Sequence, residues 1–307
     1  MRIVFMGTPE FAVPSLKILL DNQYPIVGVV TAPDKPAGRG QQFSTSPIKD
    51  FALEKHLLVM QPEKLKEERF IKQLRSVEPD IFVVVAFRIL PPDVFTIPTL
   101  GSFNLHPSLL PKYRGAAPIN WAIIKGENET GVTTFFLKES VDTGNIILQA
   151  RVPIGNNETA GELHDRLADI GAELVLHSVR LIETGKAHPR PQDDSLASAA
   201  PKILKEHCRI DWSTSAKEVH NFVRGLSPKP CAYTFHGSTM MKIYRSTVGP
   251  DSHSGNPGEI LRADKQLLIA AGEGVIEVLE LQQEGKRKLS AEEFLRGYRV
   301  QIGETFV

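Results

Sequence analysis

Cysteine is nearly absent from this chain. Cys208 and Cys231 are the only two among 307 residues, and they form no Cys-x-x-Cys pair. That excludes a disulfide framework and a thiolate zinc cluster, and it points to a reducing compartment. An excess of one charge is lacking as well, since 36 Lys and Arg balance 36 Asp and Glu. No global field draws in a polyanion, so a nucleic-acid partner needs a local basic patch. No stretch approaches the roughly 20 apolar residues of a membrane span. The opening MRIVFMGTPEF is soon interrupted by Glu10 and does not read as a secretory signal. A cytoplasmic protein without a membrane anchor is expected. Nucleotide signatures are missing too. Gly7 lacks the two further glycines of a dinucleotide fingerprint, and there is no Gly-x-x-x-x-Gly-Lys-Ser/Thr loop. There is no Gly-x-Ser-x-Gly elbow. The nine His residues fall into no ligand spacing, so no metal is expected.

What is present is an ordinary globular composition, 41% hydrophobic and 23% charged, in a chain long enough for two domains. RIVFMG (2–7) and IVGVVTA (26–32) read as buried strands, and DIFVVVAF (80–87) as a third whose uninterrupted apolar run after Asp80 is that of a central parallel strand. Helical spacing follows the first strand at Ala12, Leu16, Leu19 and Leu20. A second helix is expected at 46–56, with Ser46 as cap and Pro47 in its first turn, and a third at 67–77. Alternation of this kind predicts an α/β fold with an open, mostly parallel sheet. GSFNLHP (101–107) continues it, followed by a helix at 119–126, strands at 130–140 and 145–154, and a long amphipathic helix from Thr159 to Gly185. Residues 188–206 begin rich in Pro, Ser, Ala and Asp and read as a linker. Beyond a helix at 215–226, short strands with Gly and Asp between them predict a small antiparallel β-barrel. The expected domains are 1–187, a linker at 188–206, and 207–307.

An open α/β sheet takes its ligand at the carboxyl ends of its strands. Asn104 and His106 sit at such an end, two apart, and so face the same way. Asp142 lies in the SVDTG turn between two strands. An amide donor, a titratable ring and a carboxylate to orient that ring suit acyl-type transfer to a nucleophile on the substrate. Taken singly, these residues decide nothing. A His before Pro serves equally as a structural hydrogen-bonder, Asp and Gly are ordinary turn residues, and Arg114 suits a solvated loop.

Together they form a pattern: Asn104-x-His106, Ser108-Leu109-Leu110-Pro111, Tyr113-Arg114-Gly115, Pro118, and Asp142-Thr143-Gly144. This resembles the signature of the folate-dependent formyltransferases. The stretches MRIVFMGTPEFAVPSL, TAPDKPAGRGQQFSTSPIK and IDWSTSAKEVHNFVRGLSPKPCAYT are similar to the members of that family that formylate methionyl-tRNA. The resemblance implies a Rossmann-like catalytic domain followed by an OB-like barrel that binds tRNA. It implies formyl transfer from 10-formyltetrahydrofolate to the α-amino group of methionyl-tRNA. Asn104 and His106 would polarise the formyl oxygen, and Asp142 would hold the imidazole. The 108–111 turn (Ser108, Leu109, Leu110, Pro111), with Phe87, Ile89 and Leu90, would wall the folate site. One departure stands out: Arg88 occupies a position where the family often has Gly.

For tRNA, the resemblance points to the long 33–47 loop with Lys35 and Arg39. In the C-terminal part Lys202, Lys205, Arg209, Lys217 and Arg224 form a local basic patch that could track a phosphate backbone and reads equally as an ordinary solvated face. The chain is expected to act as a monomer. Two rival readings remain at this level: a formyltransferase acting on a small amine such as an amino sugar or purine precursor, and a non-catalytic RNA- or folate-binding protein.

Overall fold

The computed structural model describes residues 1–37, 42–250 and 252–307. They divide into two compact units. One comprises Met1–Gly115, Thr130–Val152 and His164–Ala199. The other comprises Ala116–Glu129, Pro153–Leu163 and Ala200–Val307.

The first unit is built on a seven-stranded sheet: β1 (Ile3–Gly7), β2 (Ile26–Val30), β3 (Val59–Met60), β4 (Ile81–Val85), β5 (Ser102–His106), β6 (Glu129–Phe136) and β7 (Ile146–Pro153). Its spatial order is β7-β6-β5-β4-β1-β2-β3. The pairs β1–β2, β1–β4, β2–β3 and β4–β5 are parallel, and β5–β6 is antiparallel. Every residue of β1 and β4 is buried, as a parallel strand covered on both faces must be. The order reverses between β1 and β4. That opens a crevice at their carboxyl ends, where an open α/β sheet binds ligands.

Helices α1 (Val13–Asp21), α2 (Pro47–Glu54), α3 (Glu68–Ser76) and α4 (Pro92–Phe95) connect the strands of this sheet. The expected cap of α2 is present: the Ser46 hydroxyl accepts from Lys49 N at 3.1 Å, with Pro47 in the first turn. The long helix α6 runs Ala160–Glu183, and its first four residues group with the second unit. Two short segments, Lys35–Ala37 and Gln42–Ser44, pair antiparallel within the 33–47 stretch expected to be a loop.

The second unit holds α5 (Pro118–Ile124), α7 (Ala216–Leu226), α8 (Ala291–Gly297) and a six-stranded antiparallel sheet. Its strands are β8 (Ala232–His236), β9 (Thr239–Val248), β10 (Ile260–Ala263), β11 (Leu267–Ala270), β12 (Val275–Gln283) and β13 (Leu289–Ser290). They run in the order β8-β9-β12-β11-β10, with β13 also on β12. The edges β8 and β10 do not stay open. Residues 304–307 bridge them: Phe235 and Val307 exchange backbone bonds at 2.8 and 2.9 Å, and Ile260 N donates to Glu304 O at 2.8 Å. Closure of this kind removes the exposed edges on which sheets aggregate. Inside sits an apolar cluster that includes Trp212, Val219, Met241, Ile269, Val278 and Phe306. Ser215 and Glu218 cap α7 reciprocally. Helices α5 and α7 approach closely because Gly225 has no side chain: a Cβ there would lie 2.6 Å from the Ile124 side chain. Among the described residues no helix is long and apolar enough to cross a membrane.

Candidate active site

At the carboxyl end of β5, Asn104 is half-buried and His106 is buried. The chain then turns sharply at Pro107. The turn is built from within. Ser108 N donates to His106 O at 3.0 Å, and the Ser108 hydroxyl donates to Lys112 O at 2.6 Å. On β6, the Thr133 hydroxyl donates to Ser108 O at 2.6 Å and accepts from Leu110 N at 3.2 Å. On β7, Gln149 donates to Leu110 O at 2.9 Å. Neither Thr133 nor Gln149 was singled out from the sequence, although Thr133 and Thr134 inside an apolar strand are a signal of buried polar work.

The turn walls were expected to face a ligand, and two of their four residues do not. Ser108 is fully buried, and Leu110 packs in a cluster with Phe135 and Ile146. With side chain and backbone both committed inward, these two support the turn from behind. Leu109 and Pro111 keep part of their surface. The loop after β4 divides similarly. Leu90 is buried in the cluster of Val84 and Val94, and Phe87 packs against it. Ile89 stands 72% exposed. Arg88 turns away along the loop and donates to Glu63 O at 3.0 Å and Pro62 O at 2.8 Å. It thus ties this loop to the 62–63 segment.

The ring of His106 is fixed at one nitrogen. Nε2 donates to Tyr113 O at 2.9 Å, and Tyr113 N is itself held by the Ser198 hydroxyl at 2.9 Å. Nδ1 lies 3.8 Å from Asp142 Oδ2. That is too long for a hydrogen bond, yet close enough for the carboxylate charge to act on the ring. Burial pushes the imidazole below its ordinary pKa, while Asp142 and the Tyr113 carbonyl pull it back up. Asp142 has a left-handed backbone, φ 56°, and its Oδ2 accepts from Gly115 N at 2.9 Å. The three expected catalytic residues are thus positioned within one unit, with His106 and Asp142 side by side and Asn104 on the same strand face as His106.

The expected RNA-facing cations separate into groups. Lys35 is exposed on the first of the two short paired segments, and Arg39 lies outside the described residues. Lys202, Lys205 and Arg209 are exposed, with the Arg209 guanidinium 5.7 Å from the centre of the Phe235 ring. Arg224 is a correction. It is 6% exposed, and it donates to Asn221 Oδ1 at 2.9 Å, Gly155 O at 3.1 Å and Glu158 O at 3.2 Å. It sits four residues after the buried His220, on the inward face of α7, and so cannot track a phosphate backbone. That helical spacing was the signal available to the sequence.

Among the described residues no group of three His, Cys, Asp or Glu could hold a metal ion. A buried neutral imidazole with one nitrogen unspent, a carboxylate beside it and an amide donor on the same strand can take up a proton and stabilise a developing oxyanion. That capacity suits a group transferase.

Comparison with known proteins agrees. The formyl transferase pattern matches residues 1–179, and the formyl transferase C-terminal domain matches residues 202–299. The chain belongs to the formyl transferase family. A methionyl-tRNA formyltransferase of Bacteroides fragilis is 47% identical over 310 residues, 98% of this chain and 96% of that protein. One of Chlorobium phaeovibrioides is 48% identical over 312 residues, 100% of this chain and 98% of that protein. Among solved structures, WlaRD, a sugar 3N-formyl transferase determined in the presence of dTDP and 5-N-formyl-THF, matches with a TM-score of 0.69 at 25% identity, over 94% of this chain and 99% of that one.

Proposed function

We propose that this protein transfers the formyl group of 10-formyltetrahydrofolate to the α-amino group of methionyl-tRNA, as a cytoplasmic monomer. The observation that carries the reading is the His106–Asp142 pair at 3.8 Å, in a chain 47% identical over 310 residues to a methionyl-tRNA formyltransferase. The amine nitrogen forms a bond to the formyl carbon, and the bond from that carbon to the donor nitrogen breaks. Asn104 donates to the formyl oxygen as charge develops on it. Nε2 of His106 is occupied by Tyr113, so Nδ1 is the nitrogen that takes the amine proton and returns it to the departing nitrogen. Burial keeps the ring neutral and ready to accept, and the Asp142 carboxylate stabilises the imidazolium formed.

Phe87, Ile89, Leu109 and Pro111 supply the apolar surface for a flat ring ligand, backed by Ser108, Leu110 and Leu90. Lys35, Arg39, Lys202, Lys205 and Arg209 supply the cations for the tRNA backbone. Functionally the chain divides into a catalytic part, 1–187, a connection, 188–206, and a tRNA-binding part, 207–307.

Formylation from 10-formyltetrahydrofolate, measured side by side with methionyl-tRNA, free methionine and a nucleotide-linked amino sugar, tests the proposal. Strong preference for methionyl-tRNA is expected. Preference for the amino sugar would move the protein to the sugar-modifying branch represented by WlaRD. No transfer to any acceptor would leave a binding protein.

A further inference from the structure

Composition marks residues 188–201 as a passive connection. The structure gives their middle part a task. Arg190 and Ile146 exchange backbone bonds at 2.8 and 2.9 Å, and Ser198 O accepts from Arg114 N at 2.8 Å. The segment is therefore held against the first unit at both ends. Between those anchors Gln192 uses its whole amide. Its NH2 group donates to Asp142 O and to Gly144 O, each at 2.8 Å. Its carbonyl accepts from Arg114 Nη2 at 2.7 Å and Nε at 3.2 Å. Two donors and two lone pairs on one planar group are what Gln or Asn alone can offer.

The two carbonyls belong to the turn that carries the Asp142 carboxylate. That turn has nowhere to retreat on the side facing β6, since a Cβ on Gly144 would stand 1.5 Å from Phe136 O. Asp142 itself holds a left-handed backbone, φ 56°, a turn conformation that Asp tolerates better than most non-glycine residues. Gly115 N holds the carboxylate, and Arg114, one residue earlier, holds the clamp. One short motif thus grips Asp142 both directly and through Gln192.

We propose that Gln192, braced by Arg114, is a positioning residue for formyl transfer: it holds the Asp142 turn so that the carboxylate stays beside the His106 ring. This rests on the roles given to His106 and Asp142 above. Gln192 touches no reacting atom.

The test compares Gln192→Leu and Gln192→Glu with His106→Ala, in the full chain, by steady-state kinetics across pH. Gln192→Glu keeps an acceptor for Arg114 and loses both donated bonds, and it covers the case in which the leucine variant fails to fold. Both variants should lower kcat by up to about 100-fold, the scale of a small misplacement of reacting groups. KM for donor and acceptor should stay unchanged. The acid limb of kcat should move to lower pH, because a carboxylate that drifts from the ring no longer supports its protonated form. Asp193→Ala, in the same segment but facing only Ser195, should keep full kcat. Unchanged kcat, or a lower kcat with an unmoved acid limb, overturns the positioning role and leaves Gln192 a structural stitch. Full turnover by His106→Ala overturns the reading of the site itself, and that result is distinguishable from failure of the clamp.

Discussion

Two buried histidines, one in each unit, have nearly the same surroundings by the crude measures. His106 is 4% exposed and His220 is 6% exposed. Each donates Nε2–H to a backbone carbonyl, Tyr113 O at 2.9 Å and Asn156 O at 3.1 Å. Burial lowers the pKa of both. The second nitrogen separates them. In His220, Nδ1 meets the Ser246 hydroxyl at 3.1 Å, and the nearby Arg224 cation further opposes a charged ring. In His106, Nδ1 faces a carboxylate with no hydrogen bond formed between them. One ring is spent on holding α7 to the 155–158 segment. The other keeps a basic nitrogen next to the charge that rewards its protonation. Burial says little about the role of a histidine; what remains unsatisfied on the ring says much more.

Substitution of each ring sharpens the contrast. His106→Ala, and Asn104→Ala beside it, should lower kcat by roughly 100-fold or more with the unfolding midpoint almost unmoved. His220→Ala should do the reverse, keeping kcat and lowering the midpoint. Exchange of those outcomes between the two sites would break the comparison. Arg224→Met removes donors from the carbonyls of Gly155 and Glu158 and should destabilise by about 3 kcal/mol in urea unfolding. It should leave the salt dependence of tRNA binding unchanged, which separates a buried clamp from a phosphate contact.

The pH response is a smaller effect. His106 titrates below the ordinary 6.5, so activity that needs the neutral ring should persist below that pH and fall only at its lowered pKa. Asp142→Asn removes a charge that raises that pKa, and the acid limb of the residual activity should move further down. For His220 the folded pKa is also depressed from 6.5. Its contribution to stability is therefore intact above 6.5 and is lost as pH falls through that value toward the lower folded one. Denaturation midpoints of His220→Gln measured against pH should show a shallower acid decline. Smallest of all, Lys202→Ala, Lys205→Ala or Arg209→Ala should each reduce the slope of log K against log salt for tRNA by about 0.7–0.9, with no change in unfolding midpoint.

Much of this was legible in the sequence, for reasons that differ by element. The strands β1 and β4 announce themselves because strands covered on both faces carry uninterrupted apolar runs. Helix α7 was placed at 215–226 and forms over Ala216–Leu226, because its cap and apolar spacing agree. The α8 capping box, Ser290 with Glu293, was equally readable and was overlooked. The pair His106 and Asp142 became visible only through a motif, since nothing in periodicity brings a strand end to a distant turn. Arg224 was misplaced because charge was read without its helical face. Gln192 gave no local signal. Its role depends on a turn and an arginine far away in the chain, and a segment rich in Pro, Ser and Asp looks the same whether it is idle or employed.

The bridge made by residues 304–307 sets an order of events during synthesis. The strands it joins, ending at His236 and beginning at Ile260, leave the ribosome well before it does. Until Phe306 arrives opposite His236 and Thr305 opposite Glu259, the nascent C-terminal sheet has two bare edges. Its seven-stranded neighbour can by then be complete, since N-terminal domains fold first on the growing chain. The second unit is therefore finished last, and the interval before closure is when a chaperone has most to protect.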